Sequence, residues 1–172
     1  LVLMVLVTFA AGSVLFAQGY RNRGANGAQE QDGALGQDLS TVLADIPLET
    51  LDDREINGLL LMREEEKLAR DVYLTLAEEW GIRSFSNIAR AEETHMDAVA
   101  MILDRYDIED PVASDTVGEF DSDALADLFD ELVAAGKKSY DDALMVGAKV
   151  EELDIADLLN LLEITDNDDI RI

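Results

Sequence analysis

The only histidine in the chain, His95, follows Glu92 by three residues in the run RAEETHMDAVAMILDRY, Arg90 to Tyr106. On a helix that spacing puts a carboxylate and an imidazole on adjacent turns of one face, aimed at one point. A carboxylate and an imidazole aimed at one point are a ligand pair for a hard or borderline metal ion. With 38 acidic residues in the chain, chance alone could produce one such pair, so its weight depends on the other helices.

Those helices repeat the theme. Residues recurring at alternating steps of three and four form one helical face. One such stripe is Leu59, Met62, Glu66, Ala69, Tyr73, Leu76, Trp80, apolar or aromatic except at Glu66. The stripe through the histidine is Ile88, Glu92, His95, Val99, Ile102, Tyr106. A third is Leu144, Gly147, Glu151, Asp154, Leu158, Leu161. Each long helix sets one or two acids near the middle of a face that otherwise looks buried. An unpaired carboxylate there costs several kcal/mol, and a cluster adds mutual repulsion. Protonation, basic partners or a cation would relieve it. The basic residues close in sequence are Arg63 and Arg70 around Glu66, and Lys149 near Glu151. A metal pair held by oxygen and imidazole, iron or manganese, resolves the cost best. The competing reading makes Glu64–Glu66, Glu92–Glu93 and Glu151–Glu152 solvated faces of an acidic protein. A one-residue shift of the stripes would turn Glu65 or Glu152 inward, and His95 would then be a core histidine satisfied by Glu92.

Composition limits the chemistry. There is no cysteine, so disulfides, thiolate nucleophiles, Cys-ligated zinc and iron–sulfur clusters are excluded. A formal net charge of −25 repels phosphate backbones and argues against nucleic acid as a partner. A calcium loop is disfavoured, because Asp166–Asp169 lacks the Gly and downstream Glu of an EF-hand.

The elements that must position these residues are helical. Hydrophobic residues make up 48% of the chain, with abundant Ala, Leu, Asp and Glu and only 2 prolines, which favours an all-α fold. Residues 1–17 are almost wholly apolar and end in LFA-Q, the pattern of an export signal. That implies a periplasmic or extracellular location, with membrane attachment only if the segment stays uncleaved. Residues 18–48 read as a flexible linker. The domain then spans 49–172. TLDD, Thr50 to Asp53, is a capping signal for a helix running to Trp80, with Gly81 as its stop. A second helix starts near Ser84 or Ser86 and ends about Tyr106. A long crossover to Ser139 carries the short helical pattern SDALADLFDELVAAG. SYDD caps a third long helix ending about Ile164, and TDND starts one more. Two hairpins joined by one long crossover is the ferritin-like four-helix bundle, with the fourth helix largely absent from this chain.

Three motifs carry a family resemblance: REEEKLARDVYLTLAEEWG, FSNIARAEETHMDAV and GAKVEELDIADL. Together, in this order, they resemble the ferritin-like proteins of the domain of unknown function family 2202, over about Leu51 to Ile172. More distantly, Glu66, Ala69, Arg70 and Tyr73 are similar to the first-helix motif of rubrerythrins, E-x-x-A-R-x-x-Y. The resemblance implies that Glu66, Glu92, His95 and Glu151 are metal ligands and that Asp154 is a further acid near them. It also implies a fourth helix bearing a second histidine, before which this chain stops. On this reading the cofactor is iron, as two ions or as iron with manganese. The function is that of a non-haem di-iron carboxylate protein: a peroxidase, oxidase or ferroxidase turned over by an external electron donor. The readings set against it are a non-catalytic metal-binding protein and a metal-free helical interaction module. A homodimer is compatible with either. Tyr73 and Trp80 are read as core packing.

Overall fold

The computed structural model of the chain describes residues 39–171. The segment read as an export signal and most of the segment read as a linker lie outside them. The described part is all-helical, as the composition predicts. Residues 39–45, placed in the linker by the sequence, form a short helical segment whose Leu43 is buried.

Helix α1 spans Asp53–Trp80. Its cap is Asp52, whose side chain accepts from the N–H groups of Arg54 and Glu55. Glu55 in turn accepts from the Asp52 N–H at 2.8 Å, closing a capping box two residues later than Thr50 would have placed it. Gly81 ends the helix at φ 66°, a left-handed turn that glycine makes without strain. Helix α2, Arg83–Arg105, follows after two residues. Neither Ser84 nor Ser86 caps it. The capping position belongs to Ile82, which offers no side-chain bond but is buried in the core. The crossover carries α3, Asp123–Gly136, capped by Ser122. Helix α4, Tyr140–Ile164, is capped by Ser139 as predicted. The four-residue α5, Asp168–Arg171, closes the described chain.

Helix α1 is the hub, packing against α2, α3 and α4, while α3 also packs on α4. Both long neighbours run antiparallel to it. Tyr73 meets Phe85 of α2, and Leu59 shares an apolar cluster with Ile102 of α2. On the other side Tyr73 bonds Gly147 of α4, and Glu55 bonds Thr165 just beyond the end of α4. Helices α2 and α4 are therefore parallel to each other and related by the long crossover. At the far end Glu55 accepts from Thr165 Oγ1 at 2.6 Å and Asn167 Nδ2 at 2.5 Å. Asp169 accepts from Arg105 and Tyr106, and Ile170 is fully buried. These contacts hook α5 onto the end of α1 and α2.

The core is split. One apolar cluster gathers Leu68, Val72, Tyr73 and Leu76 of α1 with Phe85, Ala89, Leu132, Val146 and Val150. The other gathers Leu59, Met62, Val99, Ile102, Leu103, Leu158, Leu161 and Ile170. Along α1 the break falls between Met62 and Leu68, along α2 between Ala89 and Val99, and along α4 between Val150 and Leu158.

Candidate metal centre

Every sequence-predicted site residue falls in that break. Glu66, Glu92, His95 and Glu151 are buried, and Asp154 is partly buried. Glu66, Glu92 and His95 converge: one ligand atom of each lies within 4.8 Å of the others. The His95 Nδ1 is 2.8 Å from Glu92 Oε2 and 3.3 Å from Glu66 Oε2. Glu151 and Asp154 stand outside this tight group but share its electrostatics.

Burial is the main force on these carboxyl groups, because the interior penalises the charged form. It pushes Glu66 up to about 8, with the Asp154 and Glu92 charges adding to it and His95 opposing it. Glu151 rises to about 7, through burial and then the Glu92 and Asp154 charges, against the Tyr73 hydrogen bond. Asp154 rises to about 6, again by burial and then the Glu92 charge. His95 goes the other way. Burial alone would lower it, but the Glu66 charge and the bonds to Glu66 and Glu92 hold it well above an ordinary imidazole. The His95 ring, favoured in its charged form, thus stands between two carboxyl groups and offsets their charge.

Sequence reasoning underweighted two neighbours. Glu65 is half-buried and pushed up to about 9 by burial, then by the Asp157 charge and by a hydrogen bond with that residue. Its partner follows Asp154 by three residues, the same spacing as Glu92 and His95, so the signal was present in the sequence. The solvated-face reading holds for Glu93 and Glu152, which are exposed, and fails for Glu64, Glu66, Glu92 and Glu151.

The basic residues close to these acids in sequence point elsewhere. Arg63 grips both oxygens of Asp110 at 2.9–3.1 Å. Arg70 bonds Asp71 and Asp115. Lys149 pairs with Glu131 at 3.8 Å on the surface. Apart from His95, the acid-rich layer has no cation from these candidates.

The sequence matches the family described as Uncharacterized protein domain (DUF2202) over residues 55–172. The chain belongs to that family. The DUF2202 match begins at the capping-box Glu55 and takes in every residue of the polar layer. The chain is 50% identical over 129 residues to Uncharacterized protein MJ0754 of Methanocaldococcus jannaschii, covering 75% of this chain and 70% of that protein. Its fold is similar to the crystal structure of hypothetical protein MJ0754 from Methanococcus jannaschii DSM 2661, at a TM-score of 0.73 and 50% identity, over 74% of this chain and 73% of that one.

Proposed function

We propose that this DUF2202 protein is a non-haem di-iron, or iron–manganese, carboxylate protein of ferritin-like build. The observation that carries the reading is the polar layer itself. Three helices each interrupt their apolar stripe at the same level, and the interruptions on α1 and α2 converge around one imidazole. Two parallel helices flanking an antiparallel hub, joined by one long crossover, fit three helices of such a bundle.

The residues present suit the metal. All the donors are carboxylate oxygen or imidazole nitrogen, the set favoured by iron and manganese and poor for soft metals. One ion would be held by Glu66, Glu92 and His95, and a second would draw on Glu151 and Asp154. Such a pair, when bound, supplies two electrons to dioxygen or peroxide. The protein's own part is to keep the ligands together, exclude water with the two apolar clusters, and give up protons as cations enter. The Nδ1 proton of His95 and protons on the raised carboxyl groups must leave for the donors to ligate. The acidic surface, at −25 formal charge, raises the local concentration of cations. An external electron donor is required for repeated turnover.

The test is elemental analysis of the chain, purified without a histidine tag, after ferrous loading and desalting. Retained iron that Glu66→Ala and His95→Ala each lower, with oxygen or peroxide consumed in the presence of a reductant, supports the reading. Retained iron without consumption leaves metal handling as the function. No retained iron, or iron indifferent to both substitutions, rejects the metal reading in favour of a helical interaction module.

A further inference from the structure

Acids run through the whole domain, but not evenly. Among residues 39–171 the two longest stretches without one are 80–91 and 132–140, and 143–150 is another. The fold brings all three to one end of the bundle. Trp80 Nε1 donates to the Gly136 carbonyl at 2.9 Å, joining the first stretch to the second. Phe85 and Gly147 join the first to the third, since a Cβ on Gly147 would lie 3.2 Å from the Phe85 ring. At this end α1 and α3 stop and α2 and α4 begin.

The same end exposes apolar surface. Tyr140 is 48% exposed, Leu144 40% and Met145 71%, the highest value of any large hydrophobic residue among those described. A single exposed apolar side chain is ordinary, but three within the first two turns of one helix form a patch. The charges beside it are mixed: exposed Arg83, Lys137 and Lys138 stand with exposed Glu78, Glu79, Asp141 and Asp142. The opposite end of the bundle is strongly acidic. It exposes Asp52, Asp53, Asp104, Asp107, Asp166 and Asp168 against Arg54 and Arg171.

We infer that this end, centred on Tyr140, Leu144 and Met145, is a contact face between two copies of the chain. Two molecules of formal charge −25 repel each other in most orientations. Repulsion is least, and burial of apolar surface gains most, where near-balanced charge surrounds an exposed apolar patch. A patch that holds both signs of charge can pair with itself about a two-fold axis, its bases meeting the other copy's acids and the reverse. An anionic lipid surface would call for an excess of base, which this patch lacks. The inference is independent of the metal reading.

The experiment is sedimentation velocity of the full chain over a range of concentrations, in low and in moderate salt. A dimer is expected, tighter in moderate salt because screening removes the long-range repulsion. Met145→Glu should weaken self-association at least about tenfold, since it sets like charges against each other across the contact. The double variant Lys137→Glu with Lys138→Glu should do the same by destroying the balance of charge. Leu159→Glu adds the same charge at an exposed position on the same helix, about 20 Å from Met145, and should leave the dimer as in the parent. All these positions are exposed, so circular dichroism should match the parent throughout. The inference is overturned by a parent that is monomeric at every concentration, by a dimer that both patch variants leave intact, or by equal weakening from Leu159→Glu. A monomeric parent that binds phosphatidylglycerol vesicles, and loses that binding in Met145→Glu, would also overturn it and assign the patch to a lipid surface.

Discussion

Helix α1 buries charge on two sides, and the two sides follow opposite rules. Toward the crossover it presents Arg63, Glu64, Lys67, Arg70 and Asp71, all buried. There Asp71 accepts from Lys67 at 2.6 Å, from Arg70 at 2.8 and 2.9 Å, and from the Gly118 N–H at 3.0 Å. Lys67 also donates to the Thr116 carbonyl and stands 4.5 Å over the Phe120 ring. Glu64 accepts from the N–H groups of Asp121 and Ser122. Every charge has a partner, and the product is a crossover strapped to the helix. Toward α2 and α4 the same helix presents Glu66 to more acids and one imidazole. The balanced side explains itself as structure. The unbalanced side gathers more acids than its one imidazole offsets among the described residues, and that contrast is what supports the proposal of a ligand there.

Breaking the balanced side should produce the largest change in stability. Asp71→Asn leaves Lys67 and much of Arg70 buried without their counter-charge, a loss of about 3–5 kcal/mol. Chemical denaturation should show it, and iron per folded chain should stay at the parent level. Glu66→Gln should do the reverse. Retained iron should fall at least about tenfold, while the metal-free protein at pH 8 should be no less stable than the parent, since one member of a repulsive group is neutralised. A metal-free Glu66→Gln that unfolds as readily as Asp71→Asn would show that the two sides do not differ in kind.

Titration sharpens the same contrast. Glu66 near 8, Glu151 near 7, Asp154 near 6 and Glu65 near 9 all lie above ordinary carboxyl values. The folded state therefore holds more protons than the unfolded state from about pH 4.5 upward, and stability falls as pH rises. The raised His95 has the same sign: its stabilisation is full below an ordinary imidazole pKa and is lost as pH climbs through the folded value. The slope is about 1.4 kcal/mol per pH unit for each extra proton held. The metal-free denaturation midpoint should fall between about pH 5 and pH 9. Saturating metal should flatten or invert that trend, because the ion binds the deprotonated form. Asp115 on the balanced side has the opposite sign, lowered by its hydrogen bond to Arg70, so the decline cannot come from there.

Periodicity made the polar layer legible. An acid at the centre of an apolar stripe is visible in any one helix, and three such helices in one chain pointed Glu66, Glu92, His95, Glu151 and Asp154 to one level. The helix order and the crossover were legible for the same reason, with Ser139 and Gly81 marking ends by local chemistry. The destinations of the arginines were not. Arg63 and Arg70 are adjacent to Glu66 in sequence, yet positions three before and four after it on a helix can still face a different neighbour. The partners they found, Asp110 and Asp115, sit in an irregular crossover that carries no period to read. Glu65 was obscured by the same limit, because three consecutive glutamates span most of a helical turn and only the surrounding helices decide which are buried. Segment 39–45 was hidden by a composition shared with the linker, and among its residues Leu43 is buried.

The smallest effect should come from Arg63→Lys, at the rim of the balanced side. Arg63 gains from two parallel bonds to Asp110, whose side chain is 37% exposed, so solvent weakens that pair. It also buries Nη1 with no hydrogen-bond partner, a cost that the pair must offset. Lysine would lose the paired geometry and at the same time remove that donor. The two changes oppose, and the net loss should be below about 1 kcal/mol. Thermal unfolding would measure it, alongside iron content. Unchanged iron with a small shift would confirm that the strap and the polar layer, although built on the same turns of α1, are energetically separate. Iron lost together with the Arg63 pair would mean that the crossover helps hold Glu66 in place, and the helix would then have one charged system where its geometry shows two.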